Sequence, residues 1–264
     1  MIPTPPQDKD FPYWLVVAGG LGAYLLYRVV SDDLYSQVLN TLSKGIGVTI
    51  FVTLVAFSMA SLFGLILAVA SMSRFIVFRQ LARFYIEIIR GIPIIVLLLY
   101  VAFVFGPAMV HAVNWALEGM GFEVIRTRDF TLMWRAIIAL MIGYSAFIAE
   151  VFRAGLLSVD VGQIEAAKSL GLGGWHRFRF IVFPQAFRTI MPPLGNDFIA
   201  LVKDSSLVSV LGVTDIAQLG KVTAAGNFRY FETYNVVALL YLIMTVSLSL
   251  MLRKLERRMR SKYP

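Results

Sequence analysis

The sequence contains no cysteine and only two histidines, His111 and His176. The first absence excludes a disulfide scaffold and thiolate metal sites. The second leaves no material for a histidine-rich metal centre. Charge is scarce as well. Only 15% of the 264 residues are charged, where a soluble domain carries about a quarter. No G-x-x-x-x-G-K-[ST] stretch occurs, so the chain lacks the loop that cradles nucleotide phosphates. There is no H-E-x-x-H, no nucleophile elbow and no Cys/His cluster. A membrane-embedded enzyme would have little chemistry to work with.

What is present is hydrophobic: 58% of residues are apolar and the mean hydropathy is +0.75. The apolar residues fall in runs, and about 20 of them suffice for one membrane helix. The runs predict six spans: Phe11 to Val30, Gly45 to Ser71, Leu81 to Phe105, Leu132 to Val151, Ala186 to Val213 and Tyr234 to Leu252. The first is read as a retained helix rather than a signal peptide. Asp8 and Asp10 flank Lys9, and no small-residue cleavage site follows.

The net charge of +8 sits in short segments beside these runs, the pattern of topology selection rather than of a nucleic-acid surface. Arg74, Arg79 and Arg83 follow span two. Arg153, Lys168, Arg177, Arg179 and Arg188 outnumber Asp160 and Glu165 after span four. A basic tail runs from Arg253 to Lys262. These segments are expected in the cytoplasm. The alternate ones, with Asp32 and Asp33, then Glu118, Glu123 and Asp129, are expected outside, so both termini are cytoplasmic. The stretch from Gly106 to Thr131 is long for a connection and can hold a helix lying on the outer leaflet.

The segment from Gly162 to Trp175 has an ordered composition. Helix formers run from Ile164 to Leu170, and Gly171, Gly173 and Gly174 then supply a turn. A short helix at the membrane surface, with alanines for close approach and Glu165 for a directed contact, suits insertion into a groove on another protein. Glu165-Ala166-Ala167, then Gly171, Ile181 and Pro184, resembles the EAA loop of binding-protein-dependent ABC importer permeases. Phe183 stands where that family usually has leucine. Glu87-Ile88-Ile89-Arg90-Gly91-Ile92-Pro93 resembles the E-x-x-R-G-x-P segment of the polar amino-acid importers. Tyr144 to Arg153 is similar to that branch's Y-x-A-E-x-x-R region, with a longer spacing between Tyr144 and Ala149. Lys203-Asp204-Ser205-Ser206-Leu207 is similar to its K-x-T-S-L.

The resemblance implies an all-α, polytopic transmembrane bundle: the five-helix type I ABC importer permease core at 45–253, with a coupling loop at 158–184. An N-terminal tail and extra helix (1–44) precede it and a basic cytoplasmic tail (254–264) follows. It implies a non-catalytic subunit of the bacterial inner membrane that imports polar amino acids by alternating access. The chain would hold no cofactor, with ATP and Mg²⁺ bound by two copies of a partner ATPase docked at Glu165, Ala166, Ala167, Gly171 and Pro184. A second permease subunit, self or sibling, and an extracytoplasmic binding protein complete the expected set.

Charges inside spans are expensive and mark candidate functional sites. Asp204, Lys203, Ser205, Ser206, Glu150, Arg90, Glu87 and Asn196 are the candidates for the substrate path. Asp204 or Glu150 could accept an ammonium, and Lys203 or Arg90 a carboxylate. The competing reading is that such charges pair with one another and hold helices together. An ion-coupled secondary transporter would also carry intramembrane charges, but such carriers often show inverted repeats, and no similar halves are visible.

Overall fold

The structure is a computed structural model that describes residues 13–118 and 124–261. The start of the expected first span, Glu123 and the end of the basic tail lie outside the described residues. Every regular element among the described residues is helical. Apolar chain in a bilayer has little choice, because a helix satisfies its own backbone polar groups without water.

Helix α1 (Tyr13–Ser31) has 19 residues, long enough to cross roughly 28 Å. Helix α2 (Asp33–Ser43) follows at once, its N-cap Asp32 accepting the Leu34 N–H at 3.0 Å. Arg28 pairs with the same carboxylate at 2.8 Å. After a turn at Lys44 and Gly45 comes α3 (Ile46–Ser71). Helix α4 (Ile76–Gly91) is short and amphipathic, and buries Ala82 and Ile86 against Leu67 and Ala149.

The chain then breaks. Ile92 is extended (φ −96°, ψ 129°), because the ring of Pro93 pushes its predecessor out of the helical region. Helix α5 (Ile94–Tyr100), a π-helical stretch at Val101–Phe105 and α6 (Gly106–Leu117) run on without interruption. The third apolar span is therefore Ile94–Leu117, 24 residues, not Leu81 to Phe105. Hydropathy alone does not register a pre-proline break. The same correction removes the surface helix expected after Gly106, since those residues continue the span.

Helix α7 (Leu132–Leu157) leads through α8 (Val161–Ser169) and α9 (Gly174–Arg177) into a π-helical stretch at Phe178–Val182 and then α10 (Phe183–Asp204). Pro192 and Pro193 sit inside α10 without ending it. The helix tightens into a 3₁₀ turn at Ser205–Leu211, and α11 (Ile216–Asn227) and α12 (Tyr230–Ser261) complete the chain. Four stretches among the described residues are long and apolar enough to cross a membrane: Asp33–Ser71, Ile94–Leu117, Leu132–Leu157 and Tyr230–Arg257. Helix α10, the expected fifth span, is not one of them, since it carries Asn196, Asp197, Lys203 and Asp204.

Helices α3 and α7 pack most closely. The reason is a stripe on α3 at every fourth residue: Val52, Ala56, Ala60, Gly64 and Ala68, all buried. A Cβ on Gly64 would sit 3.0 Å from the Ser145 carbonyl oxygen and 3.1 Å from the Ala149 nitrogen. Small residues let membrane helices approach to backbone contact. Thr49 and Thr53, nearer the start of α3, are buried with their hydroxyls donating back to Gly45 and Thr49 carbonyls. Gly45 abuts the Asp215 backbone, whereas Gly47 faces open space. Helices α3 and α7 together form the floor on which α10 lies.

Candidate functional site

The loop after α7 is built from its own backbone outward. Asp160 caps α8, its carboxylate accepting from the N–H of Gly162 at 2.6 Å and of Gln163 at 3.3 Å. Four residues later Ile164 lies against Val159, Ala186 and Ile190. Ala167 is buried, while Glu165, Ala166 and Lys168 are exposed. The helix ends in a Schellman motif. Gly171 N–H reaches the Lys168 carbonyl at 3.0 Å and Leu172 N–H the Ala167 carbonyl at 3.1 Å. That closure requires a left-handed residue, and Gly171 adopts φ +78°.

Beyond the turn the surface is aromatic. Trp175, Phe178, Phe183 and Phe187 follow one another at ring separations of 6.0, 6.0 and 5.7 Å. All four are exposed, as is Leu170 at 81%. Glu165 thus stands on a ridge flanked by uncovered apolar side chains. Pro184 lies in the first turn of α10, directly after the π-helical stretch at Phe178–Val182. Two contacts fix the ridge to the bundle. The Gln185 amide donates to Gln163 Oε1 at 2.7 Å, and Ile190 fills the space left by Gly155, where any Cβ would overlap it.

The second region is the meeting of α7 and α10. Tyr144, near the middle of α7, donates its hydroxyl to Asp204 Oδ2 at 2.8 Å. Asp197 lies two turns before Asp204 on the same helix. One of its carboxylate oxygens is buried without a hydrogen-bond partner. Thr189, Pro193, Asn196 and Lys203 are exposed and fall at spacings of four, three and seven residues, which is one face of a helix.

The remaining candidates separate. Ser205 is buried, its hydroxyl turned to the Val202 carbonyl at 2.8 Å, and Ser206 is half-buried. Glu150 is held by Arg153, one turn on, with a shortest approach of 2.6 Å. Glu87 and Arg90 are both exposed on α4. They form no ion pair with each other among the described residues. The Arg90 guanidinium instead sits 5.7 Å from the centre of the Phe147 ring.

Sequence reasoning missed two residues. Tyr144 was visible only as part of a motif, with no hint that it meets Asp204. Arg135 is buried, and donates to the Ala102 carbonyl at 2.8 Å, to that of Phe130 at 2.8 Å and to that of Thr127. It ties the connection before α7 to the π-helical stretch of the preceding span. Its signal was an arginine three residues into an apolar run.

Comparison with known proteins places this geometry. Residues 60–261 match the family described as the binding-protein-dependent transport system inner membrane component. The glutamine transport system permease protein GlnP of Escherichia coli (strain K12) is 36% identical over 219 residues, 83% of this chain and 93% of its own length. The probable amino-acid permease protein YxeN of Bacillus subtilis (strain 168) is 36% identical over 223 residues, 84% of this chain and 93% of its own. Among solved structures, an amino acid ABC transporter crystallised with histidines aligns at TM-score 0.68 and 34% identity, covering 87% of this chain and 97% of that one. An inward-facing MetNI methionine ABC transporter aligns at TM-score 0.60 and 20% identity, over 87% of this chain and 99% of its own, a likeness of fold.

Proposed function

The chain belongs to the binding-protein-dependent transport system inner membrane components, and from that premise we propose that it is the permease through which an ATP-driven importer moves polar amino acids into the cell. Its class is that of multi-pass ABC importer permeases, and its relatives carry amino-acid and glutamine transport in their names.

In this reading the ridge at Glu165, Ala166, Ala167 and Gly171 is a coupling helix that enters a groove on one ATPase subunit, the second permease subunit engaging the other. Its shape supports this. The helix is closed at both ends by its own caps, so it can transmit a push without unwinding. Leu170 and Trp175 beside it are exposed, and the neighbouring basic residues favour the cytoplasm for this side. ATP and Mg²⁺ are bound by that partner. Both termini lie in the cytoplasm, and a binding protein delivers substrate at the outer face. Helices α1 and α10 complete a six-span topology.

The single observation that carries the transport reading is the exposed stripe Asn196 and Lys203 beside the Tyr144–Asp204 pair. A charged stripe at membrane depth does not face lipid. It faces a polar path between this chain and a second permease subunit, itself or a sibling. Asp204, with Asp197 below it, accepts the substrate ammonium, and Lys203 or Arg90 meets the carboxylate. Alternating access follows from the two permease subunits rocking about that path.

Uptake of labelled amino acids into proteoliposomes tests this. Reconstituted permease, ATPase and binding protein should accumulate a polar amino acid only with ATP present. Accumulation by the permease alone, driven by an ion gradient, would replace the proposal with a secondary transporter.

A further inference from the structure

Helix α10 has a second face that the transport path does not use. At roughly 100° per residue, Leu194, Phe198 and Val202 lie on the opposite side of the helix from Asn196 and Lys203. There an apolar groove of about 540 Å³ opens between α3, α10 and α12, lined by Phe57, Leu194, Phe198, Leu248 and Leu255. A second hollow of about 310 Å³ continues it through the shared residues Phe198 and Leu248, as far as Ile50 and Met244. Phe57 and Phe198 meet edge to face at 4.9 Å and make its floor.

One charged residue lines this groove, Lys254, and it stands at one end. From Lys254 to Met244 the groove follows ten residues of α12, about 15 Å, which is half the roughly 30 Å hydrocarbon thickness. Arg253 and Arg257 are exposed beside Lys254, with Glu256 the only acid among them. The groove therefore has the depth of one leaflet, an apolar bed and a basic mouth.

We propose that this groove holds an acyl chain of an anionic phospholipid from the cytoplasmic leaflet, with its phosphate at Lys254. A neutral lipid would fill the bed equally well, but only an anionic headgroup also satisfies the mouth. The polar stripe on the far side of α10 leaves this flank facing lipid rather than the second subunit. The inference rests on the orientation and subunit pairing proposed above but not on the substrate. Lipid retention is read without uptake, so its failure is distinguishable from a failure of the transport reading.

The test is lipid retention. The full-length chain, with whatever subunits co-purify, is placed in nanodiscs of equal phosphatidylglycerol and phosphatidylcholine, extracted, and weighed by native mass spectrometry. Phosphatidylglycerol should remain bound in preference. Lys254→Ala should lower its retention about fivefold, the effect of one basic residue at an anionic surface. Leu248→Trp, which fills the groove, should displace it. Equal retention of the two lipids, or retention unchanged in Lys254→Ala, overturns the proposal. So does a disulfide between a cysteine at position 248 and one in α1 or in a second copy, since the groove would then be a protein contact.

Discussion

The loop from Asp160 to Pro184 takes its shape from its own backbone, whereas the Tyr144–Asp204 pair exists only because two helices meet across sixty residues of sequence. In the loop a carboxylate cap, a left-handed glycine and a Schellman closure act within a dozen residues of one another. Little is covered there beyond Ile164 and Ala167, and Glu165, Ala166 and Lys168 are exposed. At the pair, by contrast, the order comes from packing. Tyr144 is buried in the α3–α7 core, and Asp204 is brought to it by α10. A surface meant to engage a partner has to hold its form while uncovered, so local rules suffice. A polar group within a membrane helix bundle has to be held by neighbours, because hydrocarbon offers it no partner.

That difference can be pressed experimentally, beginning at the pair. Tyr144→Phe removes the donor from a charged acceptor, worth about 1.5–3 kcal/mol. Uptake efficiency should fall roughly 10- to 100-fold, and Asp204→Asn should alter uptake likewise. Basal ATP hydrolysis by the assembled complex should be unchanged in both. Normal uptake kinetics in both variants would remove the pair from the path.

Next comes the turn. Gly171→Val places a branched side chain in a left-handed conformation, at a cost of about 1–2 kcal/mol. Space is not the issue, since nothing lies within 4 Å of the missing Cβ. Association with the ATPase and substrate-stimulated hydrolysis should weaken, with substrate affinity preserved. If hydrolysis stays fully stimulated, the ridge does not couple.

Asp160→Ala removes the cap at the other end of α8, about 1 kcal/mol, so it should weaken coupling in the same direction and by less. Glu150→Gln should do least. Its pair with Arg153 is partly exposed, and such pairs contribute about 0–1 kcal/mol. A large uptake defect in Glu150→Gln would move Glu150 from a helix-stabilising pair into the substrate path.

The same contrast explains what could be read from sequence. The helical class, the apolar runs and the short helix closed at Gly171 were all legible, because each follows from composition or from short-range rules. The third span was displaced, because the break at Ile92 is a backbone consequence of Pro93 that hydropathy does not see. The packing stripe on α3 was not legible, because Ala56, Ala60 and Gly64 look like any apolar residues until α7 crosses them. The candidates for the path were named as a set of charges. Only tertiary contact separates Asp204, which meets Tyr144, from Glu150, which meets Arg153, and from Ser205, which turns back to its own helix.

The absence of native cysteine makes one measurement especially direct. A single cysteine is placed at Ala166 on the ridge, or at Lys203 on the path, in the complex with its ATPase, and a short bifunctional reagent is added. The cysteine at 166 should cross-link to the ATPase and the one at 203 should not. An intact complex in which the cysteine at 166 gives no cross-link would contradict the claim that this ridge is where the permease meets its motor.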